Sequence, residues 1–291
     1  MSHAAVADLV SPDTFAYSHL DKPSVDQLGQ QYRSAHPFPH IQMRNFLNLS
    51  PGEVLPWFPA DSWSGWSRFQ NEYQRRKMFC ADIEQIPEPL AGFIRELCAP
   101  RFLSFLESVT GIPALIPDPY LEGGGLHCSG PGGVLAPHSD FHFYRRLGLF
   151  RRVNLLVYLN PEWRQEYGGC LELYEKDKEE PAVTVVPEWG SCVIFTTDDK
   201  SVHGFSRPVV GERWRRSIAL YYYTSQEATD FSGDADTHWR THGDVSGLAS
   251  FRLWSYKACL FTSRCFSRLG HRLNPHLGSK LVPEAGIAAK P

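Results

Sequence analysis

The sequence predicts a mainly β fold with flanking helices, and three observations carry that prediction. Between about residues 130 and 224, short runs rich in branched and aromatic residues are bounded by Gly, Pro, Asn and Asp, which is typical of β-strands. Residues 87–110 carry apolar residues mostly at steps of three and four, which predicts amphipathic helices. Helices followed by many short strands indicate a sandwich or barrel supported by helices on one face.

The elements before the core are a single helix, a strand and a pair of helices. SVDQLGQQYRSA, with Ser24 as its cap, predicts the first helix, and PFPHIQMRNFL predicts a strand that enters the domain. Within residues 87–110, Pro100 interrupts the apolar pattern, so we expect two consecutive helices there.

Five strands are predicted for the core itself, with the sequences VNLLVYLN, GGCLELYE, PAVTVV, GSCVIFTT and RRSIALYYYT. The glycine-rich stretch LEGGGLHCSGPGG, which precedes them, predicts either an entrance loop that orders over substrate or a plain connecting turn. We therefore expect His127, which lies in this stretch, to be a solvent-exposed loop residue.

The chain after about residue 230 predicts a loop and then a helix. His238 and His242 lie near Gly and Asp, so we expect loop residues there and not a second metal site. From Phe251 the apolar residues form one stripe, and no Asp or Glu occurs before Val282. A helix of this kind either packs on its parent domain, which we expect here, or lies on an anionic membrane or partner.

These elements predict one overall domain in three parts. They are an N-terminal extension with buttressing helices (1–110), a β core (111–230), and a loop with a basic amphipathic C-terminal helix (231–291).

Composition limits the function classes. The 291 residues, 42% of them hydrophobic, suffice for a large domain, and the net charge of -3 lacks the basic excess that nucleic-acid binding requires. The chain shows neither a signal-peptide pattern nor the run of about 20 apolar residues that a membrane helix needs. Its seven cysteines are scattered, so we expect reduced thiols in a cytoplasmic protein. The sequence does not predict the oligomeric state.

A metal site is indicated by APHSDFHF. Because residues two apart on a strand point to the same side, His138 and Asp140 can bind one ion together. His203, about sixty residues later in VHGFSRPV, follows a predicted strand that would bring it alongside the pair. Two imidazoles and one carboxylate on one face leave coordination positions open, as in non-haem iron(II) oxygenases. His142 shares the parity of the pair, so it could face the substrate or compete for the metal, but we expect it to support the ligands or to face solvent.

The HxD pattern alone is common by chance, so the interpretation as an oxygenase depends on whether the chain also has residues that could bind a cosubstrate. A 2-oxo diacid on iron would need a cation for its distal carboxylate, and arginine suits that role. In RWRRSIALYYYT, strand alternation puts Arg213 and Arg215 on one face and Arg216 on the other. Asn154 and Tyr158 share a face of VNLLVYLN, where the tyrosine hydroxyl could donate to the same carboxylate.

The stretch from about His138 to Thr224 resembles the 2-oxoglutarate/iron(II) dioxygenases of the prolyl 4-hydroxylase-like group. The resemblance rests on HSDF, RRVNLLVYLNPEW, YGGCLELYE, the HG of VHGFSRPV and RRSIALYYYT, which occur in the family's order. It implies a double-stranded β-helix (a cupin-like jelly roll) with helices packed on the major sheet. The sequence departs from the better-known collagen and oxygen-sensing prolyl hydroxylases in two respects: the segment FHFYRRLGLFRR is long and basic-aromatic, and the N-terminal half shows no match to them. Both regions would shape the mouth of the substrate site.

The resemblance also implies a cosubstrate site. Its R-x-S/A pattern selects Arg215 for the 2-oxoglutarate carboxylate, with Arg213 as the alternative. Tyr158 resembles the tyrosine that bonds this carboxylate, and Asn154, on the same strand face, is expected at the same site. Leu171 resembles an apolar wall residue.

The implied activity is hydroxylation of an unactivated C–H bond. It requires iron(II) (Fe2+) on His138, Asp140 and His203, consumes 2-oxoglutarate and O2, and releases succinate and CO2, with ascorbate as an optional accessory. Halogenases of this superfamily lack the carboxylate ligand, so Asp140 favours hydroxylation, while desaturation and ring formation stay open. The substrate is also open between a peptidyl proline and a small molecule such as an amino acid, a sugar or a natural product.

The alternative from another function class is a non-catalytic jelly-roll module that binds a metal or a sugar. An arginine and a tyrosine that face one pocket argue against it, because such a module needs no clamp for a distal carboxylate. A zinc hydrolase is disfavoured because no general-base glutamate lies at a recognisable spacing from the ligands.

Overall fold

The computed structural model of the chain describes residues 13–228, 237–240 and 247–273. The chain forms two compact units, Met1–His242 and Gly243–Pro291. In the described part of the first unit, four α-helices are present: α1 Lys22–Ser34, α2 Pro51–Val54, α3 Glu88–Leu97 and α4 Pro100–Thr110. The predicted break at Pro100 is confirmed, since α4 begins there.

The described residues also form thirteen strands, which belong to one antiparallel sheet. They are β1 His40–Met43, β2 Ser67–Phe69, β3 Gln74–Cys80, β4 Ile116–Pro117, β5 Gly125–Ser139, β6 Phe143–Tyr144, β7 Leu149–Tyr158, β8 Leu171–Tyr174, β9 Val183–Val185, β10 Cys192–Thr196, β11 Val202–Phe205, β12 Arg215–Thr224 and β13 His238–Trp239.

The sheet curls into a nearly closed jelly-roll barrel, so the predicted mainly β core with flanking helices is confirmed. Its main path runs β1-β10-β7-β12-β5-β11-β8-β9, and β3 pairs with β5 beside that path. All five strands predicted for the core are present, as β7, β8, β9, β10 and β12.

Strand alternation gives the paired strands β7 and β12 two different faces. Leu155 lies opposite Leu220, and both belong to the apolar core that also contains Phe93 and Leu106 of α3 and α4. Each fully buried side chain of this kind contributes roughly 1.5–3 kcal/mol to stability. The alternate residues face the interior of the barrel, where the polar side chain of Asn154 lies. The helices therefore fix the outer face of the sheet whose inner face forms the site.

The cap of α1 differs from the prediction. The helix begins at Lys22, and the Asp21 carboxylate accepts a 2.9 Å hydrogen bond from the backbone N–H of Ser24. Pro23 lies in the first turn, where its fixed φ suits a helix and its missing N–H costs nothing. The prediction of Ser24 as the cap is therefore wrong, because the cap is Asp21, three residues earlier.

The glycine-rich stretch is mostly strand, which corrects its interpretation as a loop or turn. Gly125 begins β5 with a φ of +86°, and a Cβ atom there would lie 2.0 Å from the backbone oxygen of Cys80 on β3. The glycines allow β5 to run between two close neighbours, β3 and β12, which is a known use of glycine in strands. His127 consequently lies within a strand.

The segment THWRTHG is partly strand as well. His238 and Trp239 form β13, which pairs with Ser139 and His138 at the end of β5. The expectation of a loop is therefore wrong for these two residues. His242 lies outside the described residues.

In the second unit, the described residues form the helix α5, Gly247–Leu273. Phe251, Trp254 and Phe261 of its apolar stripe are 62%, 66% and 67% exposed. Among all described residues, no helix has the length and apolar character to cross a membrane. The packing of this helix on the core and the three-part division of the chain stay predictions.

Candidate metal and cosubstrate site

The three predicted ligands converge inside the barrel. His138 near the end of β5 lies directly opposite His203 on β11, and Asp140 is the first residue after β5. Each of the three offers a ligand atom, and these atoms all lie within 4.8 Å of one another. The Nε2 atoms of His138 and His203 are each 3.5 Å from a different oxygen of Asp140. One ion can therefore bind all three.

Backbone hydrogen bonds set the orientation of both imidazoles. The Nδ1 atom of His138 lies 2.9 Å from the carbonyl oxygen of Ala136, and Nδ1 of His203 lies 3.0 Å from that of Ser201. Because a carbonyl can only accept, each Nδ1 carries the proton and each Nε2 keeps a lone pair for a metal. Burial lowers the pKa of His203 to about 4, although Asp140 opposes the shift, so this imidazole is neutral at physiological pH.

Two further side chains hold the carboxylate of Asp140. Asn154 Nδ2 donates to Oδ2 over 2.7 Å, and a guanidinium nitrogen of Arg151 lies 2.9 Å from the same oxygen. Arg151 also donates from Nε to the Asn154 side-chain oxygen. Burial acts to raise the pKa of Asp140, but the charge of Arg151, and then His203 and His138, hold it well below its usual range. The carboxylate is therefore ionised, and one anionic oxygen donor with two neutral nitrogens suits a divalent first-row metal such as iron(II).

The triad lines a cavity of about 210 Å³ with aromatic walls. The Trp239 ring stacks on His138 at a centroid distance of 4.6 Å, and Phe195 meets His203 edge-on at 4.7 Å. These rings cover the two imidazoles and limit the access of water. Leu171, the predicted apolar wall residue, also lines the cavity.

Arg215 lies in the wall of the same cavity at the start of β12, and it is 6% exposed. Its Nε donates to the carbonyl oxygen of Gly169 over 2.6 Å, and its Nη2 donates to the hydroxyl of Tyr158 over 3.3 Å. Among the described residues no carboxylate pairs with this guanidinium. A buried arginine without an anionic partner is costly, so the cavity is suited to a ligand that carries a carboxylate.

The alternative arginine lies elsewhere. Arg213 precedes β12, is exposed, and packs its guanidinium over the ring of Tyr167 at 3.6 Å. Tyr158 is fully buried beside Arg215, and burial raises the pKa of its hydroxyl to about 12, although the guanidinium opposes the shift. The hydroxyl thus stays protonated and is available as a donor.

Three residues of the site were missed or misplaced by the sequence interpretation. Arg151 lies in the basic-aromatic segment FHFYRRLGLFRR. The signal that could have identified it as a site residue is an arginine at a strand position that is buried. His127 and Lys77 line the cavity from β5 and β3, which corrects the expectation of an exposed loop histidine. Burial, and then the charge of Lys77, hold the pKa of His127 well below its usual range.

His142 is 4% exposed, and its Nε2 lies 3.2 Å from a carboxylate oxygen of Glu227. It does not line the cavity of the triad. The expectation that it faces solvent is therefore wrong, and a supporting role toward the ligands stays a prediction.

Comparison with known proteins agrees with this site. The family model described as the 2OG-Fe(II) oxygenase superfamily matches residues 124–223, which include all three candidate ligands and Arg215. The match covers about a third of the chain. The predicted resemblance is confirmed, and iron(II) and 2-oxoglutarate are the metal and cosubstrate named by the family.

The relatives include prolyl hydroxylases. The chain is 24% identical over 187 residues to prolyl 3-hydroxylase OGFOD1 of Mus musculus, covering 63% of this chain and 31% of the relative. It is 34% identical over 77 residues to prolyl 3-hydroxylase OGFOD1 of Xenopus laevis, covering 25% of this chain and 15% of the relative. The chain thus spans about a third or less of the length of these curated relatives.

A solved structure shares the fold. A prolyl hydroxylase of Trichoplax adhaerens, in complex with a peptide of the hypoxia inducible factor oxygen degradation domain, matches with a TM-score of 0.50 and 20% identity. The match covers 69% of this chain and 91% of that one. At this identity the likeness supports the jelly-roll fold alone.

Proposed function

We propose that this protein is an iron(II)- and 2-oxoglutarate-dependent oxygenase that hydroxylates an unactivated C–H bond and releases succinate and CO2. The observation that carries the proposal is the presence, in one cavity, of a two-histidine, one-carboxylate cluster and a buried arginine without a carboxylate partner among the described residues. The cluster fits the metal and the arginine fits the distal carboxylate of the keto acid.

His138, Asp140 and His203 would hold the iron, which supplies O2 activation coupled to oxidative decarboxylation of the keto acid. Both Nε2 atoms are set as acceptors by the backbone, so no proton has to leave the imidazoles before the metal binds. Asn154 and Arg151 fix the carboxylate and keep it ionised. The protein thus presents a rigid, preformed site.

Arg215 and Tyr158 would bind the distal carboxylate through their guanidinium and hydroxyl groups. Leu171, Phe195 and Phe205 give the cavity apolar surface that excludes water from the reacting centre. A non-catalytic binding module has no use for this clamp, and nothing in the described site favours that alternative.

For the substrate, we propose a prolyl residue in a peptide. The names of the relatives, prolyl 3-hydroxylases among them, support this class over a sugar or a natural product. Phe69, Phe141 and Trp239 line the same cavity and offer flat apolar surfaces against which a pyrrolidine ring can pack.

The deciding experiment titrates 2-oxoglutarate into anaerobic, iron(II)-loaded protein and follows the weak visible absorption of the chelate, and then measures succinate after air is admitted. Wild type should give both signals, and His138→Ala and Asp140→Ala should give neither. His19→Ala, which removes an imidazole from an exposed side chain, is the matched control and should behave as wild type. Wild-type protein that gives neither absorption nor succinate would contradict the proposal.

A further inference from the structure

Three cavity residues lie in one row across three neighbouring strands. Lys77 on β3 is paired with Ser129 on β5, and Ser129 is paired on its other side with Arg215 on β12. Neighbouring strands are about 4.8 Å apart, so paired residues lie side by side on the same face of the sheet. All three line the cavity of the metal cluster. An ammonium, a hydroxyl and a guanidinium therefore share one wall.

The ammonium group of Lys77 has no hydrogen-bond or ion-pair partner among the residues that the structure describes. Arg215, in contrast, already donates from Nε and Nη2 to Gly169 and Tyr158. A guanidinium pairs with one carboxylate through at most two parallel N–H bonds, and an ionised carboxylate has about four acceptor sites, so acceptor sites remain for a second charged donor. Lys77 lies in the same row, and its three free N–H donors can bind the acceptor sites that remain on the carboxylate.

The charges of the wall indicate that the cavity binds an anion. Lys77, Arg151 and Arg215 are the cations that line the cavity, and Asp140 is its only carboxylate among the described residues. Arg151 is paired with Asp140, which leaves two cations without a counter-charge. Burial lowers the pKa of Lys77 to about 8, the Asp140 charge opposes that shift, and the charge of Arg215 adds to it. An anion between the two cations would relieve this repulsion.

We infer that Lys77 binds the distal carboxylate of 2-oxoglutarate together with Arg215 and Ser129. The inference rests on the proposed function and extends it, because Lys77 lies outside residues 124–223 and the family match does not assign it a role. The wall of the cosubstrate site would therefore combine two strands of the matched segment, β5 and β12, with β3 from the N-terminal part of the chain.

The test compares two keto acids that differ only at the distal end. 2-Oxoglutarate and 2-oxopentanoate are titrated calorimetrically into anaerobic, iron(II)-loaded wild type, Lys77→Met and Lys77→Arg. Lys77→Met should weaken 2-oxoglutarate binding by roughly 10-fold or more, as expected for loss of a charge-assisted contact, and change 2-oxopentanoate binding by less than about 2-fold. Lys77→Arg should keep most of the affinity. Lys22→Met, the same change at an exposed residue, is the control.

Two results would overturn the inference while the proposed function stands. One is unchanged 2-oxoglutarate binding in Lys77→Met, which would point instead to an anionic group on the substrate. The other is an equal loss for both keto acids, which would mean that Lys77 acts through the metal or the fold. If wild type binds no 2-oxoglutarate, the proposed function fails and the inference falls with it.

Discussion

Arg151 offers the sharpest test of how the metal site is built. The residue is 2% exposed, and a guanidinium nitrogen lies 2.9 Å from Asp140 Oδ2. Removing one partner of a buried ion pair costs about 3–5 kcal/mol, because the other charge is left without compensation. In Arg151→Met, Asp140 is that remaining charge. We expect the metal-free variant to lose about this much free energy of unfolding, or roughly 6–20 °C in melting temperature.

A bound divalent ion should reverse most of this loss, since it supplies positive charge to the same carboxylate. The assay is thermal unfolding of wild type and Arg151→Met with a chelator and then with excess Mn(II). The metal should raise the melting temperature of the variant by more than that of wild type. Arg75→Met, at an exposed position of β3, controls for loss of an arginine. Equal destabilisation of the metal-free and metal-loaded variant would refute the reasoning and assign Arg151 a packing role.

Other predictions concern the cosubstrate wall and the glycine-rich strand. Arg215→Ala should raise the 2-oxoglutarate concentration needed for half-maximal succinate formation by at least about 10-fold, whereas Arg213→Ala should leave it unchanged; the reverse result would reassign the clamp. Burial lowers the pKa of Lys77 to about 8, so its ammonium loses its proton as pH rises through that value. The calorimetric affinity of wild type for 2-oxoglutarate should therefore fall above about pH 8, whereas that of Lys77→Arg should not. Parallel pH curves for the two proteins would contradict this. Gly125→Ala should lower the free energy of unfolding, measured with denaturant, by more than about 2 kcal/mol, because the added methyl group would meet the backbone of β3. The control Gly52→Ala should change that free energy little, and equal effects of the two substitutions would argue against the close approach of β3 and β5.

The metal cluster could be predicted because its signals are local. His138 lies near the end of β5 and Asp140 comes two residues later, directly after the strand, and His203 follows a run of apolar residues that indicates a returning strand. The choice between Arg213 and Arg215 was harder, since both have the same parity. The structure separates them because β12 begins at Arg215, which leaves Arg213 outside the sheet.

The wall formed by β3 could not be predicted, because it depends on a non-local pairing. QRRK looks like an exposed basic run, and Arg75 and Arg76 are indeed exposed. Lys77 lines the cavity only because β3 pairs with β5, a strand that the glycines had suggested was a loop. The same error placed His127 in solvent. The glycines were interpreted as a sign of a flexible loop, whereas in this fold they allow neighbouring strands to approach closely.

The most direct test of the central claim is a crystal structure of the protein with Mn(II) and 2-oxoglutarate, with the ion located by its anomalous scattering. The ion should lie between the Nε2 atoms of His138 and His203 and an oxygen of Asp140, with the distal carboxylate of the keto acid against Arg215. An ion bound elsewhere, or a keto acid whose far end avoids that guanidinium, would contradict the account.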